Sequence, residues 1–518
     1  MNIPRRLTAA LATATATVLL VGCGAASETT TTLDGTDLTT VSASSLVADN
    51  ADPHADASTD VSYDEGSAVA VELADGGSTA SDDSVTVDGD VVTITAPGTY
   101  LLSGELSDGQ VVVDSEDDGE VMLVLDGVSI TSSSASPLVV TQADETTVVL
   151  ADGSTNTLSD GPGSGADDEE EDAPNAAVWS ADDLTIAGTG ALTVTGVSTD
   201  AITSKDGLVI LGGDITVEAV DDGIRGKDYL VVEGGTLTVS SGGDGLKADN
   251  DSDDTLGYVE VAGGSTTIDA GDDGIDATTD AIVEGGDVTV ASSTEGIEGA
   301  HVVLSGGSVD VTATDDGLNA ASDTIDPVIA ISGGTVAIDS GGDGIDANGT
   351  VTITGGDITV AGPTTTMEGA LDADTGLFIS GGSLIAAGSS GMAVAPEADS
   401  AQGWVQVNVD APLSAGSVVA VLDADGEEVA ATTLTKEATN LVVSVADIDA
   451  DADYTVTVDG AEVDTVTAGV SVGNDRTGGP GGAGGGAGGP GGERGEGPPD
   501  GMTPPEGMTP PEEAPSAQ

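Results

Sequence analysis

Eight acidic residues occupy the same position of a repeated sequence motif, so each copy of the motif contributes one carboxylate. Most are followed by glycine and then by Ile or Leu, and a Gly-Gly pair recurs between them. The spacings between successive acids are 22, 22, 29, 22, 21, 27 and 25 residues. A repeat of this length is typical of a solenoid, in which equivalent residues of neighbouring coils stack. The acids are Asp200, Asp222, Asp244, Asp273, Glu295, Asp316, Asp343 and Glu368.

Carboxylates stacked in this way predict bound cations. Equivalent residues of adjacent coils would lie ~4.7–4.9 Å apart, where two carboxylates repel by about 3.5 kcal/mol at an effective dielectric constant near 20. Calcium takes six to eight oxygen ligands and therefore suits such a row. The predicted ligands are acids of the row and the extra acids that follow the turn. They are Asp222, Asp244 with Asp249, Asp273 with Asp276, and Asp343 with Asp346. The simpler alternative is that Asp-Gly only turns the chain, with a positive φ at glycine and the acid facing water.

Four of the nine basic residues fall on consecutive repeats, at Lys205, Arg225, Lys227 and Lys247. A basic patch on an acidic wall focuses the local field on an anionic group, and Lys or Arg would suit the carboxylates of an acidic sugar polymer. Tyr229, beside Lys227, could stack on a sugar, although a packed tyrosine is the commoner case. The alternative for the cations is that they neutralise the stacked acids as structural ion pairs.

The segments between the glycines indicate which elements position these residues. Runs such as GGDITV and GGTLTV alternate apolar and polar residues and are rich in Val, Ile and Thr, which favours strands over helices. The sequence therefore predicts an all-β fold, a right-handed parallel β-helix with about 22 residues per coil, over residues 61–400. Extra length falls mainly in one turn, at Ala248–Tyr258 and Ala320–Ile329. Hairpin patterns over residues 401–472 predict a small C-terminal β module that caps the solenoid.

The N-terminal residues predict export and attachment to a membrane, and both ends of the chain contain segments that predict disorder. Residues 1–22 have the basic start and apolar run of a signal peptide. The phrase Leu20-Val21-Gly22-Cys23 resembles a bacterial lipobox, which implies lipid attachment to Cys23 on the extracellular side of the cell membrane. Residues 23–60 read as a disordered tether and residues 473–518 as a disordered Gly/Pro-rich tail.

Composition excludes several function classes. A formal charge of −83 opposes nucleic-acid binding, which depends on neutralisation of phosphates by Lys and Arg. One cysteine excludes a disulfide framework, and two histidines make a histidine-based zinc site or a Ser-His-Asp triad very difficult to build. A run of six acids at 167–172 reads as a solvated loop, with a calcium trap as the alternative.

Several phrases in order resemble a known family. They are GTYLLSGELSDGQ, LVLDGVSI, LADGSTNTLSD, DDLTIAGTGALTV, SKDGL and the Gly-Gly/Asp-Gly repeats, and together they cover roughly residues 61–472. The chain resembles the bacterial carbohydrate-binding β-helix lipoproteins of polysaccharide-lyase-like fold. This resemblance implies a calcium-containing protein that binds cellulose or polygalacturonate without cleaving it. The chain shows no row of aromatic residues, which disfavours flat crystalline cellulose relative to an acidic polymer.

Three functions follow from these observations. The preferred hypothesis is a calcium-containing cell-surface protein that binds acidic or plant-type polysaccharide and is not an enzyme. The second is a calcium-dependent polysaccharide lyase in which Arg225, Lys227 or Lys247 acts as the base beside Asp222 and Asp244. The third is a surface spacer or adhesin, in which the repeats build only a rigid rod.

Overall fold

The computed structural model describes residues 42–53, 61–162, 173–365 and 367–472. The predicted signal peptide, Cys23, the acidic run 167–172 and the Gly/Pro-rich tail lie outside these residues, and the interpretations of them stay predictions. No helix of the described residues is long and apolar enough to cross a bilayer.

The described residues form one short helix, α1 (Ala43–Leu46), and a long series of strands. The solenoid strands, in chain order, are β1 Val69–Ala74, β2 Thr79–Ala80, β3 Val85–Asp88, β4 Val91–Ile94, β5 Gly98–Leu106, β6 Gln110–Asp114, β7 Glu120–Thr131, β8 Leu138–Gln142, β9 Glu145–Leu150, β10 Thr155–Ser159, β11 Ala176–Ser180, β12 Leu184–Gly188, β13 Ala191–Gly196, β14 Asp200–Ser204, β15 Gly207–Ile210, β16 Asp214–Ala219, β17 Ile224–Gly226, β18 Tyr229–Val232, β19 Thr236–Ser240, β20 Leu246–Ala248, β21 Tyr258–Val261, β22 Ser265–Asp269, β23 Ile275–Val283, β24 Asp287–Ser292, β25 Ile297–Leu304, β26 Ser308–Ala313, β27 Leu318–Ala320, β28 Val328–Ile331, β29 Thr335–Ser340, β30 Ile345–Ala347, β31 Thr350–Ile353, β32 Asp357–Ala361, β33 Gly376–Ile379 and β34 Ser383–Gly388. The C-terminal strands are β35 Trp404–Leu413, β36 Val418–Leu422, β37 Glu428–Thr433, β38 Ala438–Ser444, β39 Asp453–Val458 and β40 Ala461–Thr467.

The solenoid has three faces, each a stack of parallel strands from successive coils. Face 1 includes β14, β17, β20 and the first part of β23. Face 2 includes β15, β18, β21 and the second part of β23. Face 3 includes β16, β19, β22 and β24. The chain follows faces 1, 2 and 3 in each coil, for about 12 turns of about 24 residues, which confirms the predicted all-β solenoid.

Aliphatic side chains fill the interior in columns that run from coil to coil. On face 1, Ile224, Leu246 and Ile275 pair in register and are at most 1% exposed. On face 3, Val239 and Ile268 continue an equivalent column. Each fully buried aliphatic side chain contributes roughly 1.5–3 kcal/mol relative to an exposed one. The alternation in the sequence thus becomes an alternation between core and surface.

Glycine is required at two turns of each coil for two different reasons. Gly235, the second glycine of a Gly-Gly pair between faces 2 and 3, has a φ of 91°, which glycine adopts without steric cost. Gly245, in an Asp-Gly step between faces 3 and 1, has no positive φ. There a Cβ would lie 2.4 Å from Cγ2 of Ile268 and 2.6 Å from the carbonyl oxygen of Gly274. The expectation of a positive φ at Asp-Gly is therefore wrong, and glycine is required there because neighbouring coils approach closely.

We expect Gly245→Ala to lower the free energy of unfolding by about 2 kcal/mol, because the added methyl group must displace packed atoms. Gly77→Ala is the matched control. Gly77 also lacks a positive φ, and its Cβ would meet only the carbonyl oxygen of Asp75, at 3.8 Å. Its effect should stay within about 0.5 kcal/mol. Urea unfolding midpoints measure the difference, and equal midpoints would contradict the close-approach explanation.

Two insertions widen the turn between faces 1 and 2, where the sequence places its extra length. Residues 249–257 separate β20 from β21, and residues 321–327 separate β27 from β28. Between these insertions, β23 and β25 run from face 1 onto face 2 as continuous strands. The insertions therefore flank two coils in which faces 1 and 2 form one surface.

Residues 42–53 belong to the segment predicted as a disordered tether, and the prediction is wrong for them. They lie on the outer surface of face 2, where Leu46 and Val47 pack against an apolar cluster that includes Tyr229 and Tyr258. The Ser- and Ala-rich composition of the segment conceals the few apolar residues that make this contact.

The C-terminal strands cover the last coil. Strand β38 pairs antiparallel with β34 at the open edge of face 3, and β35 pairs with β38. Strands β36, β37, β39 and β40 form a separate antiparallel sheet. The Lys436 side chain forms an ion pair with Asp339 and donates a hydrogen bond to the Ser340 carbonyl at 2.6 Å. The module thus removes an exposed strand edge.

Candidate functional site

The repeated acids stack on the turn from face 3 to face 1, and we call this row from Asp200 to Asp343 the acid ladder. Oδ1 of Asp222 accepts the backbone N–H of Asp244 at 2.9 Å, and Oδ1 of Asp244 accepts that of Asp273 at 2.9 Å. Oδ1 of Asp273 accepts that of Glu295 at 3.1 Å. Each of these carboxylates therefore satisfies a backbone donor of the following coil, a role that a free surface acid would not have.

Glu368, the eighth acid of the repeat, departs from this pattern. Oδ1 of Asp343 accepts the backbone N–H of Gly369 at 2.6 Å, rather than that of Glu368. The coil is shifted by one residue here, because Leu371 is the residue that pairs with Ile345. The prediction of Glu368 as an equivalent ladder acid is therefore wrong by one position.

A second column lies beside the ladder on the outer surface of face 1. Each coil contributes one residue to this column, three positions after the ladder residue. These residues pair in register from strand to strand. The ladder and this outer column together form the acid wall. The members of the outer column are Arg225, Lys247, Asp276, Glu298, Asn319 and Asp346.

Lys247 neutralises the first part of the acid wall. Its Nζ forms an ion pair with Asp244 and lies 3.5 Å from carboxylate oxygens of both Asp222 and Asp276. Three of the predicted calcium ligands therefore surround a cation of the protein itself. The interpretation of Lys247 as an ion-pair partner of the stacked acids fits these contacts better than that of a free sugar-binding cation.

Arg225 is used in a similar way. Its Nε and Nη2 bind the two carboxylate oxygens of Asp249 at 3.1 and 2.5 Å, a bidentate geometry. Asp249 was predicted as a calcium ligand together with Asp244. The structure instead places Asp249 on Arg225 and Asp244 on Lys247, so this predicted calcium coil holds two ion pairs.

Two groups of carboxylates lie further along the acid wall, and we call them triad 1 and triad 2. Triad 1 is Asp273, Glu295 and Glu298, and triad 2 is Asp343, Asp346 and Asp372. In each triad, one oxygen from every residue lies within 4.8 Å of the others. The sequence has no Lys or Arg between Lys247 and Lys436. These distances suit a divalent cation with oxygen ligands.

The sequence pattern reveals some members of the triads but not others. It predicted Asp273, Asp343 and Asp346 as metal ligands, and it identified Glu295 only as a ladder acid. Glu298 could have been found as the residue three positions after Glu295. Asp372 could not, because the one-residue shift of its coil hides its alignment with Asp346.

Both triads hold carboxyl groups whose ionised forms are disfavoured. Burial and the charges of Asp244 and Glu295 raise the pKa of Asp273 to about 8. Burial, with the charges of Asp346 and Asp372, raises the pKa of Asp343 to about 7. Burial and the neighbouring Glu295 also raise the pKa of Glu298 well above its ordinary value. A bound divalent cation would relieve this destabilisation, because it favours the ionised carboxylates.

We expect stability in chelator to fall as the pH rises from about 5 to about 8. The Asp273 carboxyl has an ordinary pKa of 3.8 and a folded pKa of about 8. Between these values the folded state holds a proton that the unfolded state has lost, so rising pH favours unfolding. Added calcium should raise the melting temperature more at pH 8 than at pH 5, since it binds ionised carboxylates. Thermal melts with calcium and with chelator at both pH values measure this, and a calcium effect independent of pH would contradict it.

The remaining residues predicted to bind ligand lie near the turn between faces 1 and 2. Lys205 and Lys227 follow β14 and β17 on neighbouring coils and are partly exposed. Tyr229 is only 6% exposed and its ring stacks on that of Tyr258, with centroids 5.5 Å apart. The end of the Tyr229 ring covers Gly207, where a Cβ would lie 2.1 Å from Cζ. Tyr229 is therefore a packed tyrosine, and the interpretation of it as a sugar platform is wrong.

The carboxylates of the acid wall make Lys247 unsuited to act as a catalytic base. Burial opposes its charged form, but the carboxylates of Asp222 and Asp244 outweigh that effect and raise the pKa of Lys247 above its ordinary value. The pKa of Arg225 is raised as well, chiefly by Asp249 against the effect of burial. A base that removes a proton at neutral pH needs the opposite shift.

Comparison with known proteins gives this geometry a context. The profile of the family described as "Carbohydrate-binding domain-containing protein" matches residues 88–298 and 282–477. The chain belongs to this family. The matched ranges contain the whole acid wall, so the ladder and both triads are part of the carbohydrate-binding family region.

One relative and one solved structure are similar to parts of this family member. A carbohydrate-binding domain-containing protein of Acetivibrio thermocellus is 37% identical over 128 residues, which are 25% of this chain and 45% of that protein. The chain thus spans less than half the length of that relative. A polysaccharide lyase-like protein from C. thermocellum, solved as a gadolinium derivative, is 33% identical, with a TM-score of 0.42. That match covers 50% of this chain and 98% of the other.

Proposed function

We propose that the chain is a non-catalytic polysaccharide-binding protein that binds acidic, polygalacturonate-type or plant cell-wall polymers through calcium ions held by the two triads. The observation that carries the proposal is the position of these triads, on the outer wall of a carbohydrate-binding solenoid. We further propose that lipid attached to Cys23 holds the protein on the extracellular side of a bacterial membrane.

Calcium is the proposed link between protein and polymer, because the basic residues of the acid wall already form ion pairs with carboxylates of the protein. Lys247 and Arg225 are engaged by carboxylates of the wall, which leaves them poorly placed to attract a uronate. Calcium takes six to eight oxygens, more than three carboxylates supply when some of their oxygens already accept backbone hydrogen bonds. Carboxylate and hydroxyl oxygens of the sugar would complete the coordination shell. Lys205 and Lys227 are proposed as secondary contacts.

The spacing of the triads suits a polymer that runs along the solenoid. Glu298 and Asp346 are two strands apart in the outer column, with Asn319 between them. Two steps of the strand spacing correspond to about 10 Å. The Asn319 amide donates a hydrogen bond to Glu295 at 2.6 Å and so ties the intervening coil to triad 1. A short oligosaccharide could therefore contact both ions.

Retention on immobilised polygalacturonate tests this function and separates it from the alternatives. We expect residues 27–518, produced as a soluble protein, to be retained in calcium and released by chelator. The same samples should release no unsaturated uronide, because the wall offers no lysine or arginine with a lowered pKa among the described residues. Unsaturated product would establish the lyase instead. Absence of both retention and product would leave only the rigid spacer for this polymer.

A further inference from the structure

Residues 42–53, which we call the N-terminal strap, are tied to the solenoid by hydrogen bonds as well as by apolar contacts. The Ala51 amide donates to the carbonyl oxygen of Thr255 at 2.9 Å. The Tyr258 hydroxyl donates to the carbonyl oxygen of Ala51 at 2.8 Å. Thr255 belongs to the insertion 249–257, which therefore holds the strap on face 2.

The apolar contacts of the strap complete a cluster on the outer surface of face 2. Leu46 and Val47 pack beside the stacked pair Tyr229 and Tyr258. Tyr258 is only 1% exposed although its strand lies on the surface of the solenoid. Without the strap this apolar surface would face water, so docking of the strap is favoured by apolar burial.

The strap lies on the side of the solenoid that does not carry the acid ladder. The ladder lies on the turn between faces 3 and 1, whereas the strap packs on face 2. In a three-faced coil, the turn between faces 3 and 1 is the corner across from face 2. Ala43, near the end of the strap that is closer to Cys23 in the sequence, therefore lies on the side of the solenoid away from the ladder.

We propose that the strap orients the protein on the membrane, with face 2 toward the lipid and the acid ladder toward the surrounding polymer. This inference rests on the proposed lipid attachment at Cys23. Docking also shortens the length of chain between the lipid and the first contact with the solenoid, which we call the lead. The chain from Gly24 to Val41 can span at most about 60 Å, whereas a lead that continued undocked to Asp60 could span about 120 Å.

Electrostatics does not select between the two sides of the solenoid. A bacterial membrane with anionic lipids has a negative surface potential. The acid wall would be repelled by that surface, and the repulsion is strongest within a Debye length of ~8–10 Å. The strap and the insertion that holds it also carry acids, and Glu260 on face 2 has Glu233 and Glu284 as charged neighbours. The orientation therefore rests on strap docking rather than on charge.

The orientation can be measured on the full lipid-attached protein in anionic vesicles whose headgroups carry a quencher. Cysteine is introduced at one of two exposed positions and labelled with a fluorophore, while lipid occupies the Cys23 thiol. Asp251→Cys reports on the insertion that holds the strap, and Ser292→Cys reports on the end of β24 next to the ladder. We expect at least twofold stronger quenching at position 251 than at position 292.

Paired strap variants provide the control. Leu46→Asp with Val47→Asp places two charges in the apolar contact and should abolish the difference between the two labels. Ser44→Asp with Ala48→Asp adds the same charge at exposed strap positions and should preserve it. The urea unfolding midpoint of each variant verifies that the solenoid is folded.

The possible outcomes separate this inference from the proposed function. Equal quenching at both positions in protein that partitions into vesicles would overturn the orientation and leave the anchor intact. Partitioning no better than that of Cys23→Ser would overturn the anchor and the orientation together. Neither result would change the expected retention on polygalacturonate.

Discussion

Lys247→Met is expected to lower the free energy of unfolding in chelator by about 3 kcal/mol, because removal of one partner leaves partly buried carboxylates without a cation. Lys247 has three carboxylate neighbours, and its side chain is 22% exposed. Asp222 and Asp244 are also buried, at 8% and 4% exposure. The effect should therefore exceed that of removing an exposed ion pair, which is typically below about 1 kcal/mol.

Lys227→Met is the matched control for this variant. Lys227 lies one coil before Lys247, in the turn that follows β17, and its loss should change stability by no more than about 0.5 kcal/mol. Calcium should restore more of the lost stability in Lys247→Met than it adds to the unchanged protein, because the vacated position has the carboxylates of a cation site. Urea titrations with calcium and with chelator measure both effects. Equal losses in the two variants would show that the acid wall does not need its lysine.

The double variant Glu298→Gln with Asp346→Asn should weaken binding to polygalacturonate at least tenfold in the presence of calcium. It removes one charged ligand from each triad and keeps the shape of the side chains. Calcium affinity depends on the number of charged ligands, and a tenfold loss corresponds to about 1.4 kcal/mol.

The control for this double variant makes the same chemical changes elsewhere. Glu218→Gln with Asp214→Asn alters two exposed acids of β16 on face 3, two coils before the strand that leads into triad 1. It should leave binding unchanged within about twofold, because surface substitutions away from the binding residues have small effects. Binding isotherms at one calcium concentration compare the two variants. Similar losses in both would mean that overall charge, rather than the triads, controls binding.

The sequence predicted the solenoid and the acid ladder because both are periodic. Residues such as Ile224 and Leu246 repeat at the coil length, and so do the acids beside them, and parallel register stacks whatever recurs at that length. The outer column was harder to recognise, because its members are of different residue types. Its continuity appears only when strand pairing shows that Lys247, Asp276 and Glu298 lie side by side.

Other features could not be predicted because they depend on contacts distant in sequence. Tyr229 is covered by the strap, about 180 residues earlier in the chain. The partner of Asp249 is Arg225 on the preceding coil, and the sequence pattern does not indicate this ion pair beside the calcium role predicted for Asp249. Asp372 depended on a one-residue shift that removes the regular spacing. In each case, an insertion, a shift in spacing or a long sequence separation hides the fact that the residues are close in space.

The most direct test of the account is the calcium affinity of the protein with and without a short galacturonate oligomer. If calcium bridges the triads and the sugar, the oligomer must tighten calcium binding by the same factor by which calcium tightens oligomer binding. Calorimetric titration of chelator-treated protein, with the oligomer alone as the control, measures that factor. We predict at least fivefold tighter calcium binding in the presence of oligomer, and loss of this effect in Glu298→Gln with Asp346→Asn. Calcium affinity that is unchanged by a saturating oligomer would contradict the bridging role and leave the ions, at most, as structural elements of the wall.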